Sequence, residues 1–223
     1  MIKVHDRVIL DLAGGTGAWS KPYKEQGYTV YNITLPEYDI LETDFLQNSF
    51  CFHHESNKHK TIYIAYKDIY GILAAPPCTM FSFARTTAKA PRDLRKGMEI
   101  VIACLRIIWE CQYGIKKDVT RISPLRFWVI ENPDTILNWF LGCPAFVFDP
   151  CEFGDGYKKK TALWGHFNSP EKQVFFKFEK QKKFEDKRVE ELRKIHKTRI
   201  KGKTELRSIT PAGFSRAFYE ANK

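Results

Sequence analysis

The stretch "RVILDLAGGTGAWS", Arg7 to Ser20, decides the fold class. Its first half, "RVILDL", is a short unbroken apolar run of the kind that forms a strand buried on both faces. It ends without a linker in "AGGTGAWS", where Gly14, Gly15 and Gly17 permit a tight turn and a close backbone approach to a ligand. A short helix closing at Gly27 and a second strand, "YTVYNI" (Tyr28–Ile33), follow. Strand, glycine turn, helix and strand in that order predict an α/β fold with a mainly parallel sheet.

The pattern continues outward from that unit. "TIYIAY" and "IYGILAA" read as strands, and Phe45 to Lys60, polar and His-rich, reads as a surface loop or hairpin inserted before them. Its His53, His54 and His59 lack a Cys or carboxylate framework in the local sequence, and no metal is expected. "PRDLRKGMEIVIACLRIIWECQY" predicts an amphipathic helix whose core face carries Leu94, Met98, Val101, Ile102, Leu105, Ile108 and Trp109. "RFWVIENP" is another buried strand, followed by a short helix "DTILNWF" closed near Gly142. "AFVFDP", "TALWG" and "QVFFKF" predict shorter strands. In "TPAGFSRAFYEAN", Thr210 is expected as N-cap and Pro211 at the first helical position, with Phe214, Ala217, Phe218 and Ala221 facing the core.

Composition sets the class of molecule. The chain has 223 residues, 43% of them hydrophobic and 14% aromatic, enough for one full-sized folded domain. No apolar run reaches membrane-spanning length and no signal peptide is apparent, so the expectation is a cytoplasmic protein with no membrane partner. Six cysteines (Cys51, Cys78, Cys104, Cys111, Cys143, Cys151) occur at irregular spacings without a CxxC pair, which argues against a structural zinc and, for an intracellular chain, against disulfides. Cys104 and Cys111 fall in the apolar helix pattern and read as core. The formal charge is +10, and the stretch from His166 to Arg207 holds fourteen Lys or Arg against seven Asp or Glu. That local excess suits a polyanionic partner, and equally a solvated lysine-rich surface.

Three polar constellations follow the ends of three predicted strands: "DLAGGTG", "PPC" and "ENP". Ligands of open parallel sheets collect at the carboxyl ends of strands, so the three are expected to share one cleft. A GGTG turn alone is a weak cofactor signal, since the full GxGxxG spacing is absent. Cys78, behind Pro76 and Pro77, is either a nucleophile aimed into the cleft or a buried turn cysteine. Glu131, directly after "FWVI", is either functional or one half of an ion pair, because burying an unpaired carboxylate is costly.

Taken together, "LDLAGGTGAWS", "ILAAPPCTMFSFAR", "FWVIENP", "FGDGYKKKTALWG" and the closing "PAGFSRAF" resemble the cytosine-5 DNA methyltransferases, in particular their small bacteriophage-type members. The resemblance implies a Rossmann-like S-adenosylmethionine-dependent methyltransferase fold, with helices on both faces of the sheet. The catalytic core would span 1–165, a short basic nucleic-acid-contacting segment 166–207, and a C-terminal helix at 208–223 would pack back on the core. It implies Cys78 as the nucleophile toward carbon 6 of cytosine, Glu131 as the group holding the ring nitrogen and exocyclic amine, and Lys159 against the pyrimidine. S-adenosyl-L-methionine would lie against Ala13, Gly14, Gly15, Thr16, Gly17, Trp19, Thr34, Asp39, Pro76 and Pro77. Ser82, Arg85 and Asn132 would meet the substrate. The partner is double-stranded DNA with the target base rotated out of the stack.

Several residues depart from the family pattern. Ala13 stands where phenylalanine usually packs on the cofactor adenosine, with Trp19 expected to compensate, and Thr34 stands where an acidic residue usually meets the ribose. Lys159 and Thr161 replace two arginines, and lysine lacks the planar fork of arginine. The target-recognition region is reduced to the basic stretch, so relaxed or very short sequence specificity, or a partner protein that supplies specificity, is expected. Other readings are an enzyme acting on RNA or a free nucleotide, one using a bulkier cofactor analogue, and a non-catalytic nucleic-acid-binding protein. The phage-type resemblance suggests protection of a viral genome from host restriction.

Overall fold

The computed structural model describes residues 6–57, 59–83, 85, 88–113, 125–155, 157–173, 206 and 208–223. Its centre is β1 (Val8–Leu12), buried along its whole length as the unbroken apolar run demands. β1 pairs in parallel with β2 (Thr29–Ile33) on one side and β6 (Ile69–Ala74) on the other, and β6 pairs in parallel with β7 (Phe127–Pro133). β9 (Thr161–His166) then inserts antiparallel between β7 and β8 (Phe146–Phe148), giving a six-stranded sheet of order β2-β1-β6-β7-β9-β8. The mainly parallel α/β sheet expected from the sequence is present.

Alternation along the strands sorts the core into two layers. Leu10 and Leu12 of β1, Ile72 and Ala74 of β6 and Ile130 of β7 face α2 (Leu94–Tyr113). Ile9, Leu73 and Val129 face the opposite layer, a cluster that holds Tyr23 of α1 (Lys21–Glu25), its ring against Tyr219, together with Phe214 and Phe218 of the C-terminal helix, Ala212–Ala221. Burial of each such side chain is worth about 1.5–3 kcal/mol, so both layers hold the sheet. Helices therefore cover both faces. A separate antiparallel sheet of β3 (Asp44–Phe45), β4 (Ser49–His53) and β5 (Thr61–Ala65) lies in the connection between β2 and β6. The hairpin alternative for Phe45–Lys60 holds, but its Phe50, Cys51 and Phe52 are buried rather than on the surface.

Some expectations need correction. The buried stripe of α2 is Val101, Cys104, Ile107, Ile108 and Cys111, while Ile102 and Trp109 are about half exposed, at 52% and 50%. Cys104 and Cys111 are core residues, as expected, and burial pushes the Cys104 thiol up to about 12. α3 (Asn138–Leu141) is short and ends at Gly142, whose φ of 76° suits glycine. The C-terminal helix, α4 (Ala212–Ala221), is capped by Pro211, and Thr210 lies outside it. In place of a Thr210 cap, the Asp155 carboxylate accepts from the Gly213 N–H at 3.1 Å. Phe214 and Phe218 are buried on the core side as expected.

Residues 167–173 run along the core: Asn168 N–H donates to Asn222 Oδ1 at 2.8 Å, and Lys172 pairs with Glu152 at 3.0 Å. Most of the basic segment (174–205 and 207), with the expected strand "QVFFKF" beyond Gln173, lies outside the described residues. Among the described residues no helix is long and apolar enough to cross a membrane.

Candidate active site

The order β2-β1-β6 means that the chain leaves β1 toward one side of the sheet and later returns on the other. Such a reversal opens a crevice at the carboxyl ends of the two strands. The glycine turn leaves β1 at this point and the Pro-Pro-Cys turn leaves β6 beside it. Ala13 N–H donates to the Ile33 carbonyl at 2.8 Å and Ala75 N–H to the Leu12 carbonyl at 3.0 Å, fixing the three strand ends together.

The turn itself is held from below. Ala13 (φ 53°), Gly15 (φ 55°) and Gly17 (φ 71°) adopt left-handed backbone, and for alanine this costs on the order of 1–3 kcal/mol. Gly17 N–H closes the turn on the Gly14 carbonyl at 3.0 Å. A Cβ on Gly14 would fall 2.0 Å from Asp11 Oδ1, so only glycine lets the turn sit on that carboxylate. A Cβ on Gly15 would meet nothing within 4 Å: the crest of the turn faces open space. Asp11 is fully buried, accepts from Ser20 Oγ at 2.5 Å through Oδ2, and leaves Oδ1 without a partner. Its desolvation raises the carboxyl pKa to about 6. Asn32, at the end of β2, donates to the Gly15 carbonyl at 3.1 Å and also keeps a buried Oδ1 without a partner.

The second half of the site joins three distant parts of the chain. Cys78 opens a 3-10 turn (Cys78–Met80) directly after Pro77, and its carbonyl accepts from the N–H groups of Phe81 and Ser82 at 3.0 and 2.9 Å. Glu131, near the end of β7, lies 3.7 Å from Lys159 Nζ, with side-chain exposures of 14% and 23%. Both charges act on the Cys78 thiol. Burial pushes that thiol up from its ordinary value, the Lys159 ammonium pulls it back, and the Glu131 carboxylate adds to the rise. Its two charged neighbours thus tune the thiol in opposite directions. Asn132, 1% exposed, donates through Nδ2 to the Pro76 carbonyl at 2.8 Å and keeps Oδ1 free of a protein partner. Of the two readings of Glu131, the ion-pair member is the one this contact bears out.

The remaining candidates separate. Thr34 follows β2, and its carbonyl accepts from Tyr38 N–H at 3.0 Å. The Asp39 carboxylate accepts from Leu41 N–H at 2.9 Å and so caps the 3-10 turn Ile40–Glu42. Thr16 is half-buried in the glycine turn, and Pro76 is buried while Pro77 is exposed. Trp19 does not face the cleft, which corrects the expectation that it offers a stacking surface: it is 1% exposed, with its ring against Phe214 and Phe218. Ser82 lends its carbonyl to Arg92 at 2.8 Å, and Arg85 is half-buried beyond the turn.

Sequence reading missed Asp11, Asn32, Arg92 and Ser215. Arg92 bonds the Met80 and Ser82 carbonyls at 2.9 and 2.8 Å and so braces the Cys78 turn from the approach to α2. Ser215 of α4 donates to the Ala18 and Trp19 carbonyls at 3.0 and 3.1 Å, anchoring the C-terminal helix to the segment after the glycine turn. A charged residue inside an apolar strand was the available signal for Asp11. A concavity of about 740 Å³, lined by Arg7, Lys67, Tyr70, Arg126 and Lys223 among others, lies at the opposite, amino ends of β1, β6 and β7, away from this chemistry. Compared with known proteins, the chain matches no family model and no curated protein.

Proposed function

We propose that this chain is a DNA cytosine-5 methyltransferase that uses S-adenosyl-L-methionine and a covalent Cys78 adduct, with relaxed or very short sequence specificity. The observation that carries the reading is the meeting of Cys78, Glu131 and Lys159, three residues with complementary roles drawn from separate segments, at the carboxyl end of a parallel sheet.

The residues present fit the cofactor. The glycine turn presents an open crest at Gly15, and Asp11 and Asn32 hold buried oxygens with acceptor capacity to spare at the ends of β1 and β2. Ala13 to Gly17 would hold it, with Thr34 and Asp39 beyond β2. Bound there, S-adenosylmethionine supplies an electrophilic methyl group.

The chain's own groups do the rest. Carbon 5 of cytosine is a poor nucleophile; once Cys78 has lost its thiol proton to solvent, Sγ adds at carbon 6, and the electron pair of the C5–C6 double bond becomes available at carbon 5. Glu131 holds the ring nitrogen and the exocyclic amine and disperses the charge that develops on the ring. Both contacts strengthen as charge builds on the ring. Lys159 favours the thiolate and then faces the pyrimidine. Once carbon 5 is methylated, loss of its proton to a base returns the electron pair to the ring, and the Sγ–C6 bond breaks to release Cys78. The lysine-rich stretch 166–207 supplies phosphate affinity without base readout.

A duplex carrying 5-fluorocytosine tests the covalent step, because fluorine at carbon 5 cannot leave as a proton. With S-adenosylmethionine present, the wild type is expected to form a denaturation-resistant complex with it and Cys78→Ser none. Absence of the complex with DNA, or its retention in Cys78→Ser, contradicts the reading.

A further inference from the structure

The antiparallel sheet outside the cleft gathers a second set of donor atoms. In the β3–β4 register Asp44 stands opposite Cys51, and His53 projects from the same face of β4 as Cys51 because side chains alternate. Phe50 and Phe52, on the other face, are fully buried in the core. His53 Nε2 lies 2.9 Å from Asp44 Oδ2 and 3.7 Å from Cys51 Sγ, and the three donor atoms all fall within 4.8 Å of one another. Thr61, paired with His53 across β4 and β5, places its hydroxyl 3.1 Å from His53 Nδ1.

These separations suit a small tetrahedral cation. With bonds of about 2.3 Å to sulfur and about 2.1 Å to nitrogen and oxygen, tetrahedral angles set sulfur and nitrogen about 3.6 Å apart, and nitrogen and oxygen about 3.4 Å apart. The first separation is already met. The second requires the exposed Asp44 carboxylate to withdraw by about 0.5 Å, within the reach of a torsional adjustment. A thiolate, an imidazole and one carboxylate are a zinc set, since magnesium and calcium take oxygen donors. The Thr61 hydroxyl at Nδ1 orients the ring so that Nε2 faces Cys51 and Asp44, the kind of outer contact a metal-bound histidine uses. The half-exposed His53 also leaves the cluster open to solvent.

We propose that Asp44, Cys51 and His53 form a zinc site, with three protein ligands and a fourth position for solvent, that clamps the two-residue strand β3 onto β4. This corrects the expectation that His53 has no Cys or carboxylate framework: the framework is built across the strand pair, while His54 and His59 stay outside it. In the absence of a cation, burial and then the Asp44 carboxylate push the Cys51 thiol up, and a bound dication would reverse that balance. The site is independent of methyl transfer.

The test uses the full chain, stripped with a chelator and titrated anaerobically with Co²⁺ as a spectroscopic stand-in for zinc. The expected result is one equivalent bound, with tetrahedral visible bands and a thiolate-to-cobalt charge-transfer band that Zn²⁺ displaces. The bands should vanish in Cys51→Ser and persist in Cys78→Ser and Cys143→Ser. Asp44→Asn, an exposed substitution that leaves the core intact, should weaken binding about tenfold or more. Zinc should raise the melting temperature of the wild type and leave that of Cys51→Ser unchanged. A spectrum without the charge-transfer band, or one that survives in Cys51→Ser and is untouched in Asp44→Asn, overturns the proposal.

Discussion

Asn132 Nδ2 donates to the Pro76 carbonyl at 2.8 Å, tying the strand that carries Glu131 to the turn that carries Cys78 across 56 residues of chain. Both groups are buried, so Asn132→Ala should leave the Pro76 carbonyl unsatisfied and destabilise the fold by about 1–3 kcal/mol. On the proposed function, methyl transfer should fall further than this loss of folded protein explains, because Cys78 and Glu131 lose their common tether. Urea denaturation and turnover of the same preparation separate the two effects, and proportionate losses would contradict the tether.

The opposed charges around Cys78 give a prediction that needs no substrate. With its thiol pKa raised, Cys78 should alkylate faster as pH rises through the alkaline range, close to tenfold per pH unit while the thiol remains mostly protonated. At one fixed pH, Lys159→Met should slow the reaction and Glu131→Gln should quicken it. Mass spectrometry of iodoacetamide-treated protein reads the rate at Cys78, with exposed Cys143 as the internal comparison. The reverse order would contradict the assigned electrostatics.

Asp11 is a costly residue in its place. A carboxyl whose pKa rises from 3.8 to about 6 on folding binds its proton more tightly in the native state. Its ionisation therefore removes stability as pH rises from about 4 through 6, about 3 kcal/mol once complete. Asp11→Asn should be more stable than the wild type at pH 8 by up to that amount, with the advantage gone near pH 3.5. On the proposed function the same variant should bind S-adenosylmethionine more weakly, which calorimetry would show. A variant neither stabilised at pH 8 nor weakened in binding would remove Asp11 from the account.

Arg92 braces the Cys78 turn, and Gly97 lets α2 approach it. Arg92→Ala should lose two charge-assisted bonds and cost about 2 kcal/mol. At Gly97 a Cβ would fall 2.8 Å from Met80 Cβ and 3.0 Å from the Phe81 ring, so Gly97→Ala should displace the turn despite the better helix propensity of alanine. Both variants should increase proteolytic nicking near Cys78, and intact resistance in both would contradict the bracing role.

What was legible in the sequence was local. β1, β6 and β7 read as buried strands because their apolar runs are short and end in glycine, Pro-Pro-Cys or Glu-Asn-Pro. The core face of α2 was read correctly at Leu94, Met98, Val101, Leu105 and Ile108 but misjudged at Ile102 and Trp109, because the helix is apolar on more than one side: those two form a seven-residue repeat as regular as Cys104 and Cys111. Strand order was not legible, since the insertion of β9 between β7 and β8 is a long-range pairing that no local pattern encodes. Cys78 and Glu131 were singled out by residue type and position and Lys159 by the family resemblance, whereas Asn32 and Arg92 act on backbone carbonyls elsewhere in the chain and leave no mark in their own surroundings. The Asp44, Cys51 and His53 cluster depends on a strand register that the sequence does not state.

The most direct measurement is nucleoside mass spectrometry of DNA from cells producing the wild type or Cys78→Ala. The account predicts a 5-methylcytosine peak with the wild type and none with the variant. No new nucleoside, or an equal peak from Cys78→Ala, would contradict it, and a heavier cytosine adduct would show transfer of a larger group than methyl.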